Sequence, residues 1–174
     1  MIPGIPRTFS ATERKRATTY VERNPASVAA LVDAFLSDHY RVSQRIAAVL
    51  ETLAKRNQML ILPHLKRLIV QLDKPETGTA LKRNIPRILQ WMQIPDNLQA
   101  KAVNACLALL ADPAELVAAK VFSMTVLANI ANGQPDLANE IRAHIESQFN
   151  LSTPAFRSRA KKVLKTLDRL SLRA

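Results

Sequence analysis

Three histidines and one cysteine are the residues best suited to metal binding or nucleophilic chemistry in this chain, and they are scattered. His39, His64 and His144 stand far apart, and none has a second His or Cys at the spacing that zinc ligands require. His64 follows Pro63 at the start of a helical stretch, where a surface or capping role suits it. Cys106 lies inside the apolar run "AVNACLALL" with no basic or imidazole partner nearby to lower its pKa. It therefore reads as a small core residue, not a nucleophile. Only three glycines are present, too few and too dispersed for a phosphate cradle, and no nucleophile-elbow motif occurs. No catalytic constellation, metal set or cofactor motif is legible. Trp91, the only tryptophan, is expected to pack in a core or a groove.

The cations are more telling. Twenty-five Lys and Arg against fourteen Asp and Glu give a net charge of +11, which favours acidic proteins, nucleic acid or anionic surfaces as partners. The excess lies in residues 1–24, in residues 58–93 and in residues 134–174, whereas residues 97–133 are neutral. A lone cysteine fits a reducing compartment, no apolar run reaches the roughly 20 residues needed to span a bilayer, and a secretory leader is not evident; a cytoplasmic location is expected. At 174 residues, 48% of them hydrophobic, the chain can bury a sizeable core.

The elements that must position these side chains are helices. Ala, Leu, Lys, Arg, Glu and Gln dominate, and Pro- or Asp-rich breaks punctuate the chain. The patterns predict helices over about 25–37, 38–56, 58–72, 79–93, 97–110, 113–131, 137–149 and 154–170. Asp38 is expected to close the first and open the second. Asp112, Pro113 and Glu115 read as the cap of the sixth. Pro86 is expected to kink the fourth. Ahead of them, residues 1–24 form either a basic arm or a short capping helix with Ser10 and Glu13 as a capping box, and residues 25–174 form one repeat domain. The even-numbered helices repeat. With Val49, Ile88, Val126 and Val163 in register, the positions at −7, −3, 0, +1 and +4 trace one continuous helical face. Such a period is the mark of stacked helical pairs.

"LPHLKRLIVQL" resembles the first helix of a HEAT repeat, and "DHYRVSQRIAAVLETLA" and "DPAELVAAKVFSMTVLANIA" resemble its second. The resemblance to HEAT/armadillo-type proteins, and to small uncharacterised bacterial HEAT-like proteins, covers most of residues 25–170. It implies an all-α, right-handed α-α superhelix, a solenoid of about four helical pairs, whose second helices line a concave face. In the repeat frame, position −6 holds Ser43, Lys82, Lys120 and Arg157, and position −4 holds Arg45, Asn84, Phe122 and Arg159. With Arg41, Arg83, Lys161 and Lys162 these imply a basic ladder on that face. The same positions also suit long side chains whose stems cover the core edge while their heads stay solvated. The function expected is non-catalytic recognition of an acidic protein or peptide. Binding to the nucleic-acid phosphate backbone is the alternative. A HEAT-like base-repair glycosylase fits worse, for want of aromatics and a placed Asp. Joint exchange of Lys82 and Lys120 for Glu is expected to weaken partner capture and leave the fold intact.

Overall fold

The computed structural model describes residues 10–37 and 39–171. Among them every regular element is helical. In chain order these are α1 (Ala11–Arg23), α2 (Ser27–Leu36), α3 (Tyr40–Arg56), α4 (Leu65–Leu72), α5 (Thr79–Leu89), α6 (Asp96–Ala111), α7 (Val117–Ala131), α8 (Leu137–Phe149) and α9 (Pro154–Ser171), with two short 3-10 turns at Gln58–Leu60 and Leu62–His64. The chain divides between Gln93 and Ile94 into two compact units. The first holds α1 to α5 and the second α6 to α9.

In the first unit, α3 packs against α2 on one side and against α1 and α5 on others. The face predicted from the repeat frame is the one buried. Ile46, Val49, Leu50 and Leu53 of α3, and Leu81, Ile85, Ile88 and Leu89 of α5, are all nearly inaccessible, as is Met92 just beyond α5. Each contributes about 2 kcal/mol when fully buried. α3 and α5 run parallel. Arg83 bonds Gln44 near their N-terminal ends, and Arg87 pairs with Glu51 at 2.5 Å one to two turns further along.

α1 stands in the same relation to α3. Glu13 near its start lies in the field of Arg45, and Glu22 near its end pairs with Arg56 at 3.4 Å. It thus stacks on α3 as a second helix does, and it buries Thr18 and Val21. The helix starts where its sequence says it should. Ser10 Oγ accepts from the Glu13 amide at 3.2 Å while the Ser10 amide donates to Glu13 Oε2 at 2.7 Å, a reciprocal capping box.

Two local expectations need correction in this unit. The helix predicted over 58–72 begins only at Leu65, because Pro63 lacks a donor and disfavours helical backbone at Leu62, so the chain advances through two 3-10 turns first. The helix predicted to run to Gln93 stops at Leu89. Trp91 and Met92 close it with tight bonds to the carbonyls of Ile88 and Leu89, ahead of the extended backbone that Pro95 imposes. Pro86 does lie inside α5, buried, where no amide can bond back one turn. The Asp38 boundary falls outside the described residues.

In the second unit α7 packs against α6, α8 and α9. Its frame positions Ala119, Ser123, Val126, Leu127 and Ile130 are buried, as are Phe156, Ala160, Val163 and Leu167 of α9. The predicted cap at Asp112 is a turn instead. Asp112 precedes Pro113 with extended backbone, its carboxylate accepts from the Ala114 amide at 2.9 Å, and Glu115 accepts from Leu116. These local bonds satisfy the segment without a helix, which starts only at Val117. α9 begins at Pro154, with Thr153 Oγ1 accepting from the Phe156 amide at 3.4 Å.

Candidate partner-binding surface

Two of the cations at position −6, Lys120 and Arg157, turn away from the second-helix ridge. Lys120 is 6% exposed, and its Nζ donates to Gln148 Oε1 on α8 at 2.8 Å. Gln148 in turn donates to the carbonyl of Leu110 at the end of α6. Arg157 Nη1 donates to the Ser152 carbonyl at 2.9 Å, in the turn before its own helix. Ser43, at the same position, caps α2 by donating to the Phe35 carbonyl at 2.9 Å. These three side chains tie second helices to first helices or to the turns between them. Lys82 is half-buried at the equivalent place on α5.

Positions −5 and −4 cross-link neighbouring second helices. Arg83 of α5 donates to Gln44 of α3. In the other unit Arg159 of α9 donates to Thr125 Oγ1 of α7 at 2.5 Å. Arg45 is half-buried on α3, and Asn84 is wholly buried, with its Nδ2 on the Ala80 carbonyl at 2.9 Å. Among the nine candidate cations, Arg41, Lys161 and Lys162 are exposed. Arg41 starts a ridge of α3, continued through Arg45, Ala48, Thr52 and Lys55, opposite that helix's buried face. Lys161 and Lys162 stand together in mid-α9.

The recurring second helix, with one buried face and bonds between neighbouring copies within each unit, is what a family comparison then identifies. The HEAT repeat domain model matches residues 5–167. The chain belongs to the HEAT-repeat family. No curated protein and no solved structure gives a significant match to it. HEAT repeats generally mediate protein interactions, so the face of interest in this HEAT protein is the part of its surface not spent on stacking.

One constellation on that surface escaped the sequence. Trp91 is 46% exposed, in the turn after α5, and not packed into a core. Lys55 Nζ lies 4.4 Å from its ring centroid, a cation–π contact. Lys55 also donates to Glu51 Oε1 at 2.7 Å, and the other oxygen of Glu51 takes Arg87. A signal was present: Trp91 falls at +3 in the repeat frame, outside the buried set of positions. The contact partners lie about 36 residues away along the chain, one repeat back, where no local pattern reveals them.

Burial pushes the Glu51 carboxyl up, but the bonds from Lys55 and Arg87 outweigh it and hold its pKa below the ordinary value. The folded state therefore favours the carboxylate. Its contribution is present above the unfolded pKa and is lost as the pH falls through the depressed folded value. Glu51→Gln is expected to lower the denaturant midpoint at pH 7 by an amount equivalent to about 1 kcal/mol and to flatten the acid limb of stability below pH about 5. Urea melts at a series of pH values check this.

Cys106 is fully buried, and burial pushes its thiol up to about 12 in spite of the opposing influence of Ser123. The thiolate that nucleophilic chemistry needs is thus absent at neutral pH. No helix among the described residues is long and apolar enough to cross a membrane.

Proposed function

We propose that this HEAT protein is a non-catalytic recognition module that binds an acidic protein or peptide in the cytoplasm through cations on its second helices. Arg41, Lys161 and Lys162 are the primary contacts, because their head groups are exposed. Arg45, Lys82, Arg83, Arg157 and Arg159 are half-buried, and of these Arg83 and Arg159 bond neighbouring second helices. Lys120 serves the fold.

The observation that carries this reading is the exposure of Arg41, Lys161 and Lys162 on helix surfaces, while Glu51, Asp33 and Asp168 are each engaged by another arginine. A protein partner is favoured over nucleic acid. Few aromatics are available for base stacking, and phosphate contacts alone give little specificity. The test is capture by the bead-bound full chain from a native lysate, with and without nuclease. Acidic proteins that survive nuclease and elute at moderate salt support the reading. Retention abolished by nuclease, with a steep salt dependence of binding to generic duplex DNA, replaces it with the phosphate-binding alternative.

A further inference from the structure

We infer that Trp91 and the exposed ridge of α3 form one peptide-docking site, which takes an acidic segment carrying a large apolar anchor residue. This deepens the proposed recognition role and rests on it. The exposure of Trp91 has no structural explanation within its unit. It lies beyond the end of α5, its backbone is already satisfied by Ile88, and the core beneath is closed by Leu89 and Met92. Yet the ring has an ordered polar neighbour. Lys55 stands over it, Lys55 bonds Glu51, and Glu51 bonds Arg87. An exposed tryptophan beside a chain of paired charges is the composition of an interface anchor point.

A second exposed apolar side chain extends the patch. Met59 is 67% exposed in the 3-10 turn one turn past Lys55, and the Gln93 amide donates to Gln58 Oε1 at 2.7 Å, which draws that turn beside the one bearing Trp91. Met is adaptable enough to fit varied apolar partners.

Charge supplies the rest of the specificity. Arg41 and Lys55 lie on the same ridge of α3, fourteen residues and hence roughly 21 Å apart along the axis. An extended peptide covers that span in about six residues. The partner segment should therefore place a Phe, Tyr, Leu or Met against Trp91 and Met59, and an Asp or Glu near Arg41 five to seven residues away. Acidic side chains close to the anchor meet Lys55 as well.

Because Trp91 is the only tryptophan, its emission reports on this site alone. The experiment pans a tryptophan-free library of random twelve-residue peptides on the immobilised full chain. Enriched sequences are expected to pair an apolar anchor with an acid at the stated spacing, and their synthetic copies are expected to shift Trp91 emission. Trp91→Ala should weaken them at least tenfold and Lys55→Ala about threefold, with the melting temperature unchanged for Trp91→Ala and slightly lowered for Lys55→Ala, which loses its bond to Glu51. Failure to enrich any sequence overturns the inference. So do peptides that bind Trp91→Ala as well as the parent. If those peptides still lose affinity on Arg41→Glu, the basic surface stands and only the anchor falls. Peptides that need Trp91 but carry no acid overturn the acidic-partner reading together with this site. A single-stranded oligonucleotide that shifts the emission where no peptide does assigns the surface to nucleic acid instead.

Discussion

Lys120→Glu is expected to destabilise the second unit by about 3 kcal/mol, the largest effect of any single charge change considered. The wild-type amine is almost inaccessible and donates to Gln148, whose own amide holds the terminal carbonyl of α6. A carboxylate there faces the Gln148 amide oxygen, acceptor against acceptor, with no proton to share between them. Either Gln148 rotates and abandons the Leu110 carbonyl, or an unpaired negative charge stays buried, and both are costly. Lys120→Met removes the donor without introducing a charge and is expected to cost only about 1 kcal/mol. Urea midpoints of the three proteins check the order. An unchanged midpoint for Lys120→Glu would mean the head group reaches water. The joint Lys82 and Lys120 exchange, expected from sequence to spare the fold, is consequently a stability experiment and does not isolate a binding role.

The second large effect concerns the cations that are exposed. Exchange of Arg41, Lys161 and Lys162 for Glu is expected to leave the urea midpoint within about 0.5 kcal/mol of the parent, since none is buried. Affinity for an acidic partner should fall far more. Each reversal at the rim of an interface costs on the order of 1 kcal/mol, so the three together cost about 3 kcal/mol, roughly a hundredfold in Kd. The loss should shrink as salt rises, because exposed charges are screened. Calorimetric titration of the parent and the triple variant at low and high salt checks both points. A triple variant that binds as the parent does would place the contact elsewhere.

The buried faces were legible because they depend on period alone. Val49, Ile88, Val126 and Val163 and their neighbours at −3 and +4 repeat, and burial follows that repeat closely, with Val42 and Leu164 only half-buried. Helix starts were legible where one side chain serves one amide, as Ser10 does. They were misread where a short polar residue had two local options. Asp112 satisfies a turn as readily as a helix N-terminus, and Pro113 after it tips the balance toward extended backbone.

The candidate surface was only half legible, for a different reason. Angular position on a helix says which flank a lysine leaves from, but its reach is longer than the flank is wide. Lys120 and Arg157 leave the same flank as Ser43 and, like it, find acceptors on the first-helix side. Arg83 and Arg159 leave other positions and find Gln44 and Thr125, 39 and 34 residues back along the chain. Partners at that distance are fixed by stacking, which a single repeat does not encode. Of the two packings expected of Trp91, core or groove, its 46% exposure excludes the core, and its place in the frame at +3 already pointed outward.

The most direct test of recognition by second helices is amide chemical-shift mapping of the full chain titrated with a peptide from the panning experiment. Shifts concentrated in α3, in α5 and in the turn bearing Trp91 are the predicted result. Shifts confined to the first helices α2, α4, α6 and α8, with the second helices unmoved, would contradict it.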